Sequence, residues 1–253
     1  FGNLTAVIFS PEDLRLVKGG PSERRKFMDI ELCQLNKVYC HDLQNYYKVL
    51  KQRNNLLKSA ARDSSLADTL DVWDIQLSEY GERITAKREE FVKRLNEISG
   101  RIHSGITDGR EEFSIEYKTN FEQGSLLERL NHFKKRDIIL GSTSCGPHKD
   151  DMSFFINGND TKFYGSQGQQ RTASLSAKLA EIELIRNETG EDPILLLDDV
   201  LSELDENRQL FLMDNIGRLQ TFITCTGVED SISKYIKDST MYNVKNGDFI
   251  KVN

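Results

Sequence analysis

From Ser22 onward the chain places an apolar residue every three or four positions: Leu32, Leu35, Tyr39, Leu43, Tyr46, Leu50 and Leu57. This spacing follows a heptad more closely than the 3.6-residue period of a globular helix. Asp63-Ser64-Ser65 interrupts it, with Ser65 and Asp68 suited to cap a new helix. A second stripe follows at Leu66, Leu70, Trp73, Leu77, Tyr80, Ile84, Phe91, Leu95, Ile98 and Ile102. Two such helices joined by a short turn pack antiparallel, as a coiled-coil-like hairpin arm.

The flanking segments read differently. Leu4 to Phe9 forms a short strand, stopped by Pro11, and Gly19-Gly20-Pro21 marks a turn. Phe113 to Tyr117 alternates like a strand, and Leu126 to Lys135 has a helical pattern. Asn157-Gly158 predicts a hairpin between strands at Met152–Ile156 and Thr161–Tyr164; Asn246-Gly247 predicts another between Met241–Val244 and Phe249–Val252. A helix is expected over Gln169–Thr189, with stripe Leu175, Leu179, Ile182 and Ile185 and a stop at Gly190. The unbroken run Ile194-Leu195-Leu196-Leu197 suits a strand buried on both faces. A helix over Glu206–Ile216 and a strand over Thr221–Cys225 follow.

The 253 residues carry 34 Lys/Arg against 40 Asp/Glu, a net charge of −6. The charge is uneven: residues 1–62 are net positive by 5, whereas 180–210 hold ten acids and two bases. A basic end could meet nucleic-acid phosphates, and solvated helix faces carry the same charges. Lys37, Lys48, Lys51, Arg53, Lys58 and Arg62 are the candidate phosphate contacts. No apolar run reaches the ~18–20 residues of a membrane span. Four cysteines without CxxC spacing suggest reduced, structural thiols and a cytoplasmic setting. The opening Phe1-Gly2-Asn3, without Met or a signal-peptide pattern, suggests a piece of a longer chain.

Three segments carry chemistry. Ile194–Leu197 runs into Asp198-Asp199, and adjacent carboxylates ending a buried strand are unfavourable unless a cation or proton shares the site. This matches a Walker B element, in which the first acid holds Mg²⁺ and the second polarises water. Tyr164-Gly165-Ser166-Gln167-Gly168-Gln169-Gln170-Arg171 precedes a long helix, whose free N–H groups suit a phosphate. Ser202-Glu203-Leu204-Asp205 follows the acids, with Asp205 placed to cap a helix. In that order and spacing the three resemble the signature loop, Walker B and D-loop of an ABC-type ATPase head.

Further blocks narrow the resemblance. Val7-Ile8-Phe9-Ser10-Pro11-Glu12-Asp13-Leu14, Leu16-Val17-Lys18-Gly19, Arg24-Arg25-Lys26-Phe27 and Gly146-Pro147-His148-Lys149-Asp150-Asp151 resemble the RecF family of bacterial recombination mediators. So does Leu197–Asp205. The resemblance implies an α/β, SMC-like head with a mixed sheet and an inserted antiparallel helical arm. It divides the chain into residues 1–22 of the head, an arm over 23–105 and the rest of the head over 106–253. It implies a weak, Mg²⁺-dependent ATPase that dimerises with ATP and binds single- or double-stranded DNA or their junction. RecR- and RecO-like proteins would be partners in DNA repair, recombination and replication, where recombinase is loaded at gaps. By the same resemblance Asp198 holds Mg²⁺ through water and Asp199 is catalytic, its short carboxylate suited to a slow switch. Ser166, Gln167, Gly168 and Gln169 would meet ATP bound on the opposite subunit, and Ser202 and Asp205 would lie at the dimer interface. Glu12 would take the Q-loop place, and Thr224 or Thr226 follows the strand where the superfamily carries a switch histidine. His148 suits a structural turn as well as a ligand. No G-x-x-x-x-G-K-[ST] occurs, and the family carries that loop before Val7, so the expectation is that this chain cannot bind or hydrolyse ATP alone. The alternatives are another SMC-like repair ATPase of RecN type, a metal-dependent nuclease using Asp198, Asp199 and Asp205, or a non-enzymatic scaffold.

Overall fold

In a computed structural model the described residues are 4–217, 219–226, 235 and 239–252. The Phe1-Gly2-Asn3 opening lies outside them. Strand β1 (Ala6–Phe9) leads through a turn at Pro11–Asp13 into α1 (Leu14–Lys18) and α2 (Pro21–Leu35). The arm helices are α3 (Lys37–Ala60) and α4 (Leu70–Ile106), separated by a 3₁₀ turn at Ser64–Thr69. Strand β2 (Phe113–Lys118), α5 (Leu126–Leu140), β3 (Asp151–Ile156), β4 (Asn159–Asp160) and α6 (Thr161–Tyr164) follow. The chain continues through α7 (Gln167–Thr189), β5 (Ile194–Asp198), α8 (Glu206–Ile216), β6 (Thr221–Thr224), β7 (Tyr242–Lys245) and β8 (Asp248–Lys251).

The first apolar stripe reads as one helix, but it is two. Asn36 adopts an extended conformation between α2 and α3, and its Oδ1 accepts the Tyr39 amide at 2.9 Å. The stripe persists because both helices pack on α4. Arg53 meets Asp74, Tyr46 approaches Gly81, Asp42 meets Arg83 and Tyr39 meets Arg88, which is the register of an antiparallel pair. A Cβ on Gly81 would lie 2.4 Å from Leu126 Cδ2, so the bare backbone lets α5 seat against α4. At the arm's far end Asp63, not Ser65, caps the turn, its Oδ1 accepting the Ser65 amide at 3.0 Å.

Pairing separates the strands into two main sheets. β1, β5 and β6 lie parallel in the order β1-β5-β6; β2, β3 and β4 are antiparallel. The expected strand at Thr161–Tyr164 is instead α6, because Asp160 accepts the Lys162 amide and caps a helical turn. The Asn246-Gly247 hairpin forms as expected between β7 and β8. In β5, Leu195 and Leu197 are buried while Ile194 and Leu196 are half-buried, so one face is fully covered and the other only partly.

Helix α7 joins two cores. Leu175, Leu179, Ile182 and Ile185 pack with Val7, Leu195 and Leu197 of the parallel sheet and Leu212 of α8. Its opposite face, through Ala173, Ala177, Ala180 and Leu184, packs with Leu77, Ile84 and Leu95 of α4 and Phe113, Ile115 and Phe154 of the antiparallel sheet. Each fully buried Leu or Ile contributes roughly 1.5–3 kcal/mol, so α7 is clamped between sheet and arm. Its start and the ends of β5 and β6 are therefore placed by one rigid element.

Candidate functional site

Two clusters of polar groups stand at the ends of this frame. The first is at the start of α7. Ser166 is its N-cap: Ser166 Oγ accepts the Gln169 amide at 3.2 Å, and Gln169 Oε1 accepts the Ser166 amide at 2.9 Å. This reciprocal box orients the loop and leaves the Gln167 and Gly168 amides without intrahelical acceptors. Ser166, Gly168 and Gln169 line a cavity of 570 Å³ with Asp205, Asn207 and Arg208 of the turn into α8 and Arg110 and Glu111 after α4. Asp205 caps α8, its Oδ1 accepting the Arg208 amide at 3.0 Å, and its other oxygen pairs with the Arg208 guanidinium. Arg208 Nε also donates to Thr172 Oγ1 of α7 at 2.8 Å. Signature loop and D-loop, 39 residues apart from Ser166 to Asp205, thus share one surface.

The sequence pattern did not single out Glu111 or His103. Gln169 Nε2 donates to Glu111 Oε1 at 2.9 Å, and Glu111 Oε2 accepts from His103 Nε2 at 3.0 Å. His103 is fully buried, stacks on Phe113 with centroids 4.6 Å apart and lies 3.1 Å from Ser176 Oγ of α7. Burial holds its imidazole below the ordinary pKa, against the pull of Glu111. The loop is therefore wired to the last turns of α4. A histidine eight residues before a glutamate is no sequence signal, because the turn between α4 and β2 brings them together.

The second cluster is at the C-terminal ends of the parallel strands. Asp198 Oδ1 accepts the Thr224 hydroxyl at 2.6 Å, and the Asp199 amide donates to Thr224 O at 3.1 Å. Of the two threonines after this strand, Thr224 is the one engaged with the acids. Asp199 has φ of 52°, in the left-handed region that non-glycine residues seldom occupy. Its Oδ1 is buried without a hydrogen-bond partner. A carboxylate oxygen left unpaired beside a second acid fits a site completed by a cation or an ordered water. Ser202 Oγ donates to Asp199 O at 2.8 Å, and Glu203 pairs with Arg171 of α7. The turn Ser202–Asp205 thus runs from the acid pair to the cavity. Neither Asp198 nor Asp199 lines that cavity, and among the described residues no three His, Cys, Asp or Glu side chains group as a metal site. Gln167 is exposed beside the cavity, outside its lining. Glu12 is exposed and faces Arg15.

His148 is placed structurally. Its Nε2 donates to Thr143 O at 3.1 Å and its Nδ1 accepts from Tyr46 OH at 2.6 Å, while burial pushes its pKa down to about 4. The neighbouring Asp150 and Asp151 anchor the Arg24-Arg25 block: Arg24 holds Asp151 through two bonds of 2.7 and 2.9 Å, and Arg25 donates to Asp150 O at 2.8 Å. Two family blocks about 125 residues apart are thereby one contact. Arg53, a candidate phosphate contact, is fully buried and bonded to Asp74, Asp137 and Thr143, so it belongs to the interior where α3, α4 and α5 meet.

A parallel sheet with acids on its C-terminal rim and a serine-capped helix start turned outward beside the turn into α8 is the layout of an ABC-type ATPase head, here with a helical arm. No family model matches the chain. It is 52% identical to the DNA replication and repair protein RecF of Lachnoclostridium phytofermentans, over 98% of this chain and 69% of that relative. The RecF of Agathobacter rectalis is 49% identical over 98% of this chain and 68% of its own length. The solved structure of the recombination mediator RecF with ATP, from the RecFOR pathway, matches with a TM-score of 0.89 at 36% identity, covering 100% of this chain and 68% of that one. The chain belongs to the RecF family of DNA replication and repair proteins.

Proposed function

We propose that this chain supplies the trans-acting face of a composite ATP site in a DNA-binding recombination mediator. Two copies would close on nucleotide, with Ser166, Gln167, Gly168 and Gln169 of one meeting the γ-phosphate held by the other. Ser202 and Asp205 would lie at that interface. Asp198 would hold Mg²⁺ through water, and Asp199 would polarise the attacking water. The observation carrying this reading is the shared cavity, in which free helix N-terminal amides face outward beside the D-loop acid. The metal supplies charge neutralisation on the phosphates; the protein's part is to fix Asp198 through Thr224 and to aim the α7 amides. The arm over 23–105 would stand as a unit on a head formed by 1–22 and 106–253. DNA at single-strand gaps is the substrate, with RecR- and RecO-like proteins as partners in the cytoplasm. In the nuclease alternative Asp205 would join the acid pair, but it faces the other cavity and is bound to Arg208.

The test is DNA binding by fluorescence anisotropy, together with sedimentation, on the family-length protein with and without Mg²⁺-ATP. ATP-strengthened binding with dimerisation is the expected result. Binding and oligomeric state indifferent to ATP would overturn the reading.

A further inference from the structure

Helix α3 carries cations of two kinds. Arg53 is consumed inside the arm, but Lys37, Lys48, Lys51 and Lys58, with Arg62 just past the helix end, are all exposed. Their spacing, filled in by exposed His41 and by neutral Gln44 and Asn55, is one continuous helical row. None of the five cations takes part in a hydrogen bond or ion pair among the described residues, although many other arginines and lysines of this chain are paired. The helix has a single acid, Asp42, and it is buried on another face, gripped by Arg83 through bonds of 2.7 and 2.9 Å. The row is therefore purely basic on a chain whose net charge is −6. Its length from Lys37 to Arg62 is roughly 37 Å at 1.5 Å per residue, close to the ~34–36 Å of one turn of B-form DNA.

We propose that this row is a docking surface for the phosphate backbone of duplex DNA. The inference rests on the DNA-binding reading above and assigns it a place. Unpaired lysines serve phosphates as point charges, because contact releases condensed counterions without breaking an existing ion pair. A duplex fits better than a single strand, since no Phe, Tyr or Trp occupies a position in the row to stack on bases. Recognition here is of backbone and shape, not of sequence.

The test is anisotropy of a labelled 30-base-pair duplex, titrated at several salt concentrations, with circular dichroism as a control for folding. Each phosphate contact contributes about 0.9 to the slope of log K against log salt. The variant Lys48→Gln/Lys51→Gln/Lys58→Gln/Arg62→Gln is expected to lower that slope by about 3.6 and to weaken binding at least roughly tenfold at low salt. Neutralising three exposed cations of α4, as Lys87→Gln/Lys93→Gln/Arg101→Gln, is expected to leave the slope unchanged. A quadruple variant with the parent's slope and affinity overturns the row while leaving the DNA-binding reading intact. A family-length parent protein that fails to bind duplex, with or without Mg²⁺-ATP, overturns both.

Discussion

Replacing Arg53 by Met tests whether the arm is held by charge pairing in its interior. Arg53, Asp74 and Asp137 are each 0% exposed in their side chains. Arg53 donates to Asp74 at 2.5 Å, to Asp137 at 2.7 Å and to Thr143 at 2.9 Å, so it joins α3, α4 and α5. Without it Asp137 keeps its bonds from the Ser144 amide and hydroxyl, at 3.1 and 2.6 Å. Asp74 is left with no hydrogen-bond partner for its carboxylate among the described residues, and one of its oxygens is already unpaired. Removing one member of a buried pair costs about 3–5 kcal/mol, a large share of a typical stability of about 5–15 kcal/mol. Burial already raises the Asp74 carboxyl above its ordinary pKa, against the pull of Arg53, and losing Arg53 raises it further. A folded-state pKa above the unfolded one means that folding takes up a proton. The penalty is therefore full at neutral pH and shrinks as pH falls through the folded value. Urea unfolding at pH 7 and pH 5 is expected to show the loss of about 3–5 kcal/mol at pH 7 and a smaller one at pH 5. The variant Arg53→Met/Asp74→Leu/Asp137→Asn, with no charge left in this cluster, is expected to regain most of it. A loss below about 1 kcal/mol at pH 7, or one equal at both pH values, would refute the reasoning.

Three further outcomes are expected. Ser166→Ala removes the α7 cap and is expected to cost about 1 kcal/mol in thermal or urea unfolding; in the family-length protein it should abolish ATP-driven dimerisation while leaving ATP affinity of the monomer unchanged. In the family-length protein Asp199→Asn, tolerated at positive φ, is expected to slow ATP turnover roughly 100-fold or more while ATP-stimulated DNA binding persists, as read by phosphate release and anisotropy. His148 has a folded pKa of about 4 against an ordinary 6.5, so its neutral form stabilises the fold above that ordinary value and the contribution is lost as pH falls from 6.5 towards 4. His148→Gln should flatten the stability profile across that window, by at most about 3 kcal/mol, and superimposable profiles would count against it.

Much of the fold was legible because helix starts, stops and apolar rows are local signals. Ser166, Gly190 and Asp205 fall at caps, and the arm's apolar stripes are buried or half-buried where the heptad places them. What the sequence concealed depends on chain segments meeting at a distance. Thr224 reaches Asp198 only because β6 pairs with β5, and Glu111 reaches Gln169 only because α4 ends beside α7. One concealed feature did leave a trace. Each arm stripe has a seven-residue gap, Leu50 to Leu57 and Ile84 to Phe91; a step of three into the first reaches Arg53, and a step of four into the second reaches Arg88. Both are fully buried. An arginine on the apolar row of a heptad is a sign of an internal ion cluster, whereas one off the row, such as Arg62, faces solvent.

Helix α4 runs unbroken for 37 residues. One end lies against α5, where Asp71 pairs with Lys134; the other ends at Ile106 and Thr107, which line the cavity of the signature loop. Its span is about 55 Å, and a stiff rod of that length amplifies rotation. A tilt of about 5° at the cavity carries the far end through about 5 Å, nearly one helical turn. Any closure on the cavity that tilted α4 would thereby move the tip of the arm, as the short side of a lever moves the long one.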